Sequence, residues 1–363
     1  MRRRQFIEQG LLAGSALVGL AVDTHRAAGA AAPAKIKIGQ VGTGHSHAGG
    51  KMQAIRSLGE IYEVVGIAES DPARKARAEK SETYVGLAWL DEAALLATPG
   101  LEAVAIETSM DELSAAALRA ITAGKHIHLD KPGALAHRDF VKMRRAAEER
   151  KLTVQMGYML RYNPAFELLF RAAKAGWFGE IMEIDCAMGK LAPAGMRREL
   201  GALPGGGMFE LACHVIDAVV TVLGKPAAVH SFAKTSATAG DDFADDQLAV
   251  LEYAKATATV RCNHVDPFGG PHRRFQIVGT RGAMEITPLE SGRCKLRLSE
   301  AHETFAKGEQ TLALPVPKGR YDGEFIDLAR VVRGEKSLAW SADHDIAVHE
   351  TVLRAAGIWK DGS

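Results

Sequence analysis

The chain has 363 residues, 47% of them hydrophobic and 25% charged, with a formal net charge of +1. That composition leaves room for two sizeable hydrophobic cores and excludes a disordered or fibrous chain. The charge balance gives no basic excess for nucleic acid or an anionic membrane surface, so a small molecule is the expected ligand.

The first thirty residues differ in kind from the rest. Arg2, Arg3 and Arg4 precede a mildly apolar run from Leu11 to Val22, and small residues at Ala28, Gly29 and Ala30 follow it, which is the layout of a signal peptide. The arginines followed by Gln5, Phe6 and Ile7 resemble a twin-arginine (Tat) export signal. The run is too short to span a bilayer. Residues 1–30 are therefore expected to be a leader read by the Tat export machinery, and the mature protein to be periplasmic or otherwise extracytoplasmic. Cys186, Cys213, Cys262 and Cys294 form no C-x-x-C pair, which argues against a zinc knuckle or a redox dithiol. In a chain of this size buried thiols are at least as reasonable as disulfides.

From residue 35 to 156, short apolar runs (36–41, 63–68, 103–107, 126–130 and 153–156) alternate with amphipathic segments such as 111–123 and 137–150. Strands separated by helices imply right-handed crossovers and a doubly wound parallel sheet covered on both faces. From 157 the texture changes. A helix over 164–175 leads to a strand over 181–188, a glycine turn at 205–207 and a helix over 209–223. Strands then follow at 227–234, 247–253, 257–263, 273–279 and 283–286 with few helices between them, so a largely antiparallel sheet is expected. The last two are joined by G-T-R-G, a hairpin turn. Helices over 321–332 and 341–356 close the chain.

Gly42 and Gly44 follow the first strand directly, the context that a G-x-G-x-x-G fingerprint requires. One glycine makes the turn and the other lets backbone approach a pyrophosphate. The second strand ends in Glu69, placed to accept hydrogen bonds from an adenosine ribose. His47 stands where the third glycine belongs, so the helix approaches the strand less closely unless its imidazole points away. With His45 it also raises a metal reading. Residues two apart share no helical face, and no second H-x-H or carboxylate cluster lies nearby in sequence, so no metal is expected. The default is that both histidines cap the helix or lie beside cofactor phosphates. Asp130, Lys131 and Pro132 stand at the carboxyl end of a strand, the edge at which open α/β sheets bind ligands; a solvated loop lysine is the competing reading.

With the motifs GTGHSH (42–47), AGKHIHLDKP (123–132), GYMLRYNPAF (157–166), GGGMFELACHVID (205–217) and IVGTRGAMEI (277–286) in this order, the chain from Lys35 to Ala356 resembles the Gfo/Idh/MocA family of nicotinamide-dependent sugar oxidoreductases. The resemblance implies a Rossmann dinucleotide-binding domain over 35–156 and an α+β substrate-binding and oligomerisation domain over 157–363, commonly in a dimer or tetramer. It implies that Lys131 contacts nicotinamide and the substrate hydroxyl, and that Glu210 and His214 stand for the family's Asp and His, His214 being the proton acceptor. Gly42, Thr43, Gly44, His45, Ser46, His47, Glu69, Thr108 and Asp130 are the cofactor-side candidates. Arg161, Tyr162 and Asp217 are the substrate-side ones. The spacing of Glu210 and His214 puts both on one helical face, where the carboxylate could orient the imidazole or meet the substrate; a packed helix histidine is the alternative. Asp217 either supports His214 or faces solvent.

Oxidation of a secondary alcohol needs a hydride acceptor, a base near neutrality and stabilisation of alkoxide charge, and this set supplies the last two. The chain departs from the family at Asp130 (for Glu), Glu210 (for Asp), Ala212 (for Gly), and Ser109, Met110 and Leu113 (for Pro, Asn and His), so contacts there are expected to differ. Glu69 would repel a ribose 2′-phosphate, which favours NAD, while Ser70, Arg74 and Lys75 leave NADP open. Export of a folded protein implies a tightly held cofactor. The first expectation is a sugar or polyol oxidoreductase. A glycosidase or lyase working by transient oxidation at sugar C3 is the alternative, and a non-catalytic sugar-binding protein the more distant one.

Overall fold

The apolar run Ile36–Val41 (β1) forms the centre of a six-stranded sheet, with nearly every residue buried because helices cover both faces. The computed structural model describes residues 33–236 and 240–359. The leader expected over residues 1–30, with its Tat-type arginines, lies outside the described residues. Strands β2 (Tyr62–Ala68), β3 (Trp89–Leu90), β4 (Leu101–Ile106), β5 (His126–Leu129) and β6 (Val154–Met156) complete the sheet in the order β3-β2-β1-β4-β5-β6, every pair parallel. Five strands were expected. The sixth, β3, is two residues long at the edge and too short to show a periodicity. The chain winds outward from β1 to β3, then crosses to β4 and winds the other way. The switch point therefore lies between β1 and β4, where the loops after both strands meet.

The second sheet has eight strands: β7 (Ile181–Ala187), β8 (Ala228–Lys234), β9 (Asp246–Glu252), β10 (Thr257–Asn263), β11 (Arg274–Gly279), β12 (Gly282–Ile286), β13 (Arg293–Leu298) and β14 (Gly308–Ala313). Their order is β14-β13-β12-β11-β7-β10-β9-β8, antiparallel except for the central β7–β10 pair. The hairpin at 279–282 forms as expected. Strands β13 and β14 were not anticipated. In β13 the buried Cys294, Leu296 and Leu298 alternate with Arg293, Lys295 and Arg297, and that charged face masks the strand.

The inner face of this sheet, with Ile184, Ala249, Val260, Phe275 and Met284, packs on helices Pro164–Lys174 and Cys213–Leu223 in one core that continues to Ile106, Leu129 and Met156 of the first sheet. Helix Asp322–Val332 returns to the first sheet. There Phe325, Leu328 and Ala329 pack against Ile36, Ile38 and Ile55, although the helix lies far along the chain. All four cysteines are free and buried. Among the described residues no helix is long and apolar enough to cross a membrane.

Candidate active site

The turn after β1 depends on Gly42. Its φ is 89°, and a Cβ there would stand 2.5 Å from the Thr108 nitrogen, so no side chain fits. Gly42 N donates to Ala68 O (2.7 Å), Glu107 N to Val41 O (2.8 Å) and His45 N to Glu107 O (3.0 Å), stitching together the ends of β1, β2 and β4. A Cβ on Gly44 would come within 2.9 Å of Ser109 N. Glu69 reaches this loop from the end of β2. Its Oε2 accepts from Thr43 N (2.7 Å) and Thr43 Oγ1 (2.8 Å), and its Oε1 from Asp71 N (2.9 Å) and Arg74 Nε (3.2 Å). Burial would raise this carboxyl, but the donors around it outweigh burial and hold it below the ordinary range. Beside it opens a cavity of ≈ 250 Å³ lined by Gly42, Glu69, Ser70, Leu90 and Thr108.

His47 is the N-cap residue of helix Ala48–Ser57, yet its side chain makes no cap hydrogen bond. The capping role expected for the histidines is therefore corrected for His47, while His45 Nδ1 accepts from His47 N at the helix start (3.3 Å). Both rings turn instead to Asp130: His45 Nδ1 lies 3.1 Å and His47 Nδ1 3.0 Å from Asp130 Oδ2. Asp130 Oδ1 accepts from Lys131 N at 2.7 Å. Burial would keep the Asp130 carboxyl protonated, but the two histidines override it and hold the group well below its usual value. The neighbouring Glu107 carboxyl goes the other way, since burial and the Asp130 charge both raise it. Asp130 therefore carries the charge and Glu107 the proton. A metal reading had little support in sequence for want of a carboxylate. The sheet supplies one from 83 residues away, and the three donor atoms lie within 4.8 Å of one another.

Lys131 is fully buried, and its ammonium donates to Glu210 Oε1 at 2.8 Å and to the Glu210 carbonyl oxygen. Burial alone would lower the Lys131 pKa; the Glu210 carboxylate outweighs it, and the net shift is upward. Burial would likewise raise Glu210, but Lys131 and Lys190 bring it far down. The single helix expected over 209–223 is broken. Helix Gly206–Glu210 ends at the carboxylate, Leu211 N and Ala212 N both donate to Gly207 O (2.8 and 3.1 Å), and helix Cys213–Leu223 then begins. The helix is thus interrupted between Glu210 and His214, and the Glu210 carboxylate serves Lys131. His214 is buried edge-on to Tyr158, ring centroids 6.0 Å apart, and its Nδ1 has no hydrogen-bond partner among the described residues. Burial first, then Lys131 and His47, push its pKa well below the ordinary value, so the ring is neutral at pH 7.

Lys190, which follows β7, comes within 3.6 Å of Glu210 Oε2 and escaped the sequence reading. The only signal was a lysine just past the end of a strand. Lys190, Glu210, His45, Ser46, Ser109 and Leu200 line a cavity of ≈ 560 Å³. Ser109 and Met110, two of the positions that depart from the family pattern, stand on its wall.

Arg161, Tyr162 and Asp217 lie outside that lining. The Arg161 guanidinium donates to Asp217 from Nε (3.0 Å) and Nη2 (2.6 Å) and to Asp345 from Nη2 (2.7 Å). Arg144 takes the other Asp345 oxygen at 3.0 Å, and the Trp340 ring covers the Arg161 guanidinium 4.6 Å away. Tyr162 packs on Trp340, ring centroids 5.8 Å apart.

Residues 36–158 match the family described as "Oxidoreductase family, NAD-binding Rossmann fold", and residues 166–285 match the "GFO/IDH/MocA C-terminal domain". The chain belongs to the Gfo/Idh/MocA oxidoreductase family. Among its relatives, inositol 2-dehydrogenase 1 of Saccharopolyspora erythraea is 28% identical over 265 residues, covering 69% of this chain and 74% of that protein. A scyllo-inositol 2-dehydrogenase (NADP(+)) of Bacillus subtilis is 24% identical over 269 residues, with coverage of 69% and 74%. A solved levoglucosan dehydrogenase in complex with NADH and levoglucosan superposes with a TM-score of 0.76 at 18% identity, over 90% of this chain and 97% of that one. At that identity the likeness speaks for the fold, a parallel Rossmann-like sheet joined to a large, mostly antiparallel one.

Gfo/Idh/MocA enzymes are NAD(P)-dependent, and the residues present fit a dinucleotide. The turn at Gly42 and Gly44 is a cradle that any Cβ would fill, and the ≈ 250 Å³ cavity continues from it past Glu69 and Thr108. The main chain of 42–47 would hold the pyrophosphate, Glu69 with Thr43 the adenosine ribose, and Thr108 and Asp130 the nicotinamide side. His47 replaces the family's small residue without obstructing the turn, because its ring is swung onto Asp130.

Proposed function

We propose that the protein is an exported nicotinamide-dependent oxidoreductase acting on a secondary hydroxyl of a sugar or polyol. The arrangement about Lys131 carries this reading: a buried ammonium fixed by Glu210, whose residue borders a ≈ 560 Å³ cavity, with the neutral imidazole of His214 close enough to feel the ammonium's charge. When bound, the dinucleotide supplies the hydride acceptor. Lys131 stays cationic and donates a hydrogen bond to the reacting oxygen, stabilising negative charge as the hydroxyl proton leaves. His214 stays neutral and accepts that proton. Two titratable groups pushed apart in opposite directions are the usual mark of an acid and base assignment. Glu210 also holds Lys190 toward the cavity, which gives the wall a second cation to meet substrate hydroxyls. The names of the relatives, inositol 2-dehydrogenases among them, agree with a polyol or sugar.

NAD is the preferred cofactor, since Glu69 stands where a 2′-phosphate would be repelled. The leader implies Tat export of the folded protein with its nucleotide retained. Residues 35–156 then serve the dinucleotide and 157–363 the substrate and assembly, with Phe232, exposed on β8, on a sheet face suited to a homodimer or tetramer. Denaturation of the exported protein followed by mass analysis of what it releases tests the reading, with NAD or NADH expected. Nicotinamide reduction by sugars and polyols should then be lost in Lys131→Ala. An empty site that exchanges NAD freely would overturn retention. Aglycone release from a chromogenic glycoside with no net NADH would replace net oxidation by redox-neutral cleavage.

A further inference from the structure

We infer that His45, His47 and Asp130 form a binding site for one divalent first-row metal ion of the zinc type at the mouth of the glycine loop. Two imidazole nitrogens and a carboxylate oxygen converge there. His45 Nδ1 and His47 Nδ1 stand 3.1 and 3.0 Å from the same oxygen, Asp130 Oδ2, and all three donor atoms fit within 4.8 Å. Donors bound to one zinc ion at about 2.0–2.2 Å stand roughly 3.3 Å apart in tetrahedral geometry; the two imidazole–carboxylate separations are already close to this, and the cluster closes on an ion when its widest pair of donors draws together. Two imidazoles with one carboxylate suit zinc, iron or nickel better than magnesium or calcium.

The site is built rather than adventitious. His45 is fixed by its main-chain bond to Glu107 O (3.0 Å), and Lys51 N closes the first helical turn on His47 O (2.9 Å). Asp130 Oδ1 is held by Lys131 N at 2.7 Å, which aims Oδ2 at the two rings. His45 is 4% exposed and Asp130 fully buried, so the donors are screened from bulk water, and His47 at the cluster's edge leaves a way in. His45 also lines the ≈ 560 Å³ cavity, as do Lys190 and Glu210. Three protein ligands leave one or two open positions, the pattern of sites that bind water or substrate rather than structural ones. An ion here would add a Lewis acid for substrate oxygens in the cavity that His45 shares with Lys190. Both histidines stand in the glycine loop, one of them at the third-glycine position, where a dinucleotide alone requires no imidazole.

Metal uptake is read without nucleotide or substrate, so this inference and the proposed reaction fail independently. Full-length mature protein, stripped with a chelator and dialysed, would be loaded with Zn²⁺ or Co²⁺ and gel-filtered. One equivalent is expected to remain by elemental analysis, with a visible Co²⁺ absorption of nitrogen and oxygen ligation and a rise in Tm. His47→Ala and Asp130→Asn should each weaken binding by more than the roughly 10–100-fold that outer partners of a metal are worth. His272→Ala, which removes a surface histidine paired with Asp266, should change nothing. Should Asp130→Asn fail to fold, His47→Ala, whose ring is partly exposed, carries the test alone. Uptake well below one equivalent, or uptake that His47→Ala leaves intact, would show the three groups to be hydrogen-bonded to one another only.

Discussion

Lys131–Glu210 and Arg161–Asp217 are both buried ion pairs, and both take their carboxylate from the stretch 206–223. Around Arg161 the charges close on themselves. Asp217 and Asp345 share the guanidinium, Arg144 takes the remaining Asp345 oxygen, and Tyr158 and Trp340 lie over the guanidinium at 4.9 and 4.6 Å. Around Lys131 they stay open. Glu210 borders a cavity and meets Lys190 only at 3.6 Å. A buried pair costs desolvation that its own attraction barely repays, so its purpose is read from what surrounds it. The closed knot ties helix Cys213–Leu223 to helix Ala342–Ala355; the open one keeps a cation ready for a ligand.

The largest expected effect separates the two. Lys131→Ala should lower turnover by about 10²–10⁴-fold, the range for losing a charge-stabilising donor at the reacting oxygen, with a smaller loss of stability because Lys190 and cavity water still reach Glu210. Steady-state kinetics beside a denaturant melt would measure both. Asp217→Asn should do the reverse. It strips one counter-charge from a fully buried guanidinium, so a stability loss of about 3–5 kcal/mol is expected in urea unfolding, with near-normal turnover in the fraction that remains folded. A stable Asp217→Asn with little turnover would break the comparison and return Asp217 to the substrate side. A third, smaller effect belongs to the closed region. His349, on the same helix as Asp345, donates from Nε2 to Ala134 O (2.9 Å) and stacks on Phe140. Burial lowers its pKa from 6.5 to about 3. The unfolded chain then binds a proton that the folded one refuses, so this contribution to stability is intact above pH 6.5 and is lost as pH falls toward about 3. His349→Gln should flatten that slope in a series of melts between those pH values.

Much of the fold was legible because it rests on local signals. Apolar runs separated by amphipathic helices announce the parallel sheet, and glycines at 42, 44 and 205–207 mark turns that a Cβ would block. The site was legible only where one motif carried it. Lys131 and Glu210 stood out by type, but their pairing depends on two segments 79 residues apart, and the two-residue break at Leu211 and Ala212 left no mark in the helical periodicity. Asp130 beside His45 and His47 was invisible for the same reason. Arg161 and Asp217 were plausible ligand groups by type, and their burial against Asp345 depends on a helix more than a hundred residues away. Strand β13 was hidden by its charged outer face, and β14, Gly-Glu-Gln-Thr-Leu-Ala, by having no buried residue to set up an alternation.

The smallest expected effect is a missing one. If His214 is the base and Lys131 the charge-stabilising donor, activity depends on His214 being neutral and Lys131 charged. Burial and the nearby Lys131 hold His214 well below 6.5, and Glu210 overrides burial to hold Lys131 above 10.5. Between those limits neither group changes state, so kcat/KM should stay flat from about pH 6.5 to about pH 10 and fall only beyond them. A bell centred near neutrality would mean that His214 titrates with an ordinary pKa in the free enzyme. That requires water or a carboxylate at its Nδ1, and hence a site more open than the one around Lys131. It would bring the buried His214 into contact with solvent, and the contrast between open and closed pairs would then include the base as well as the cation.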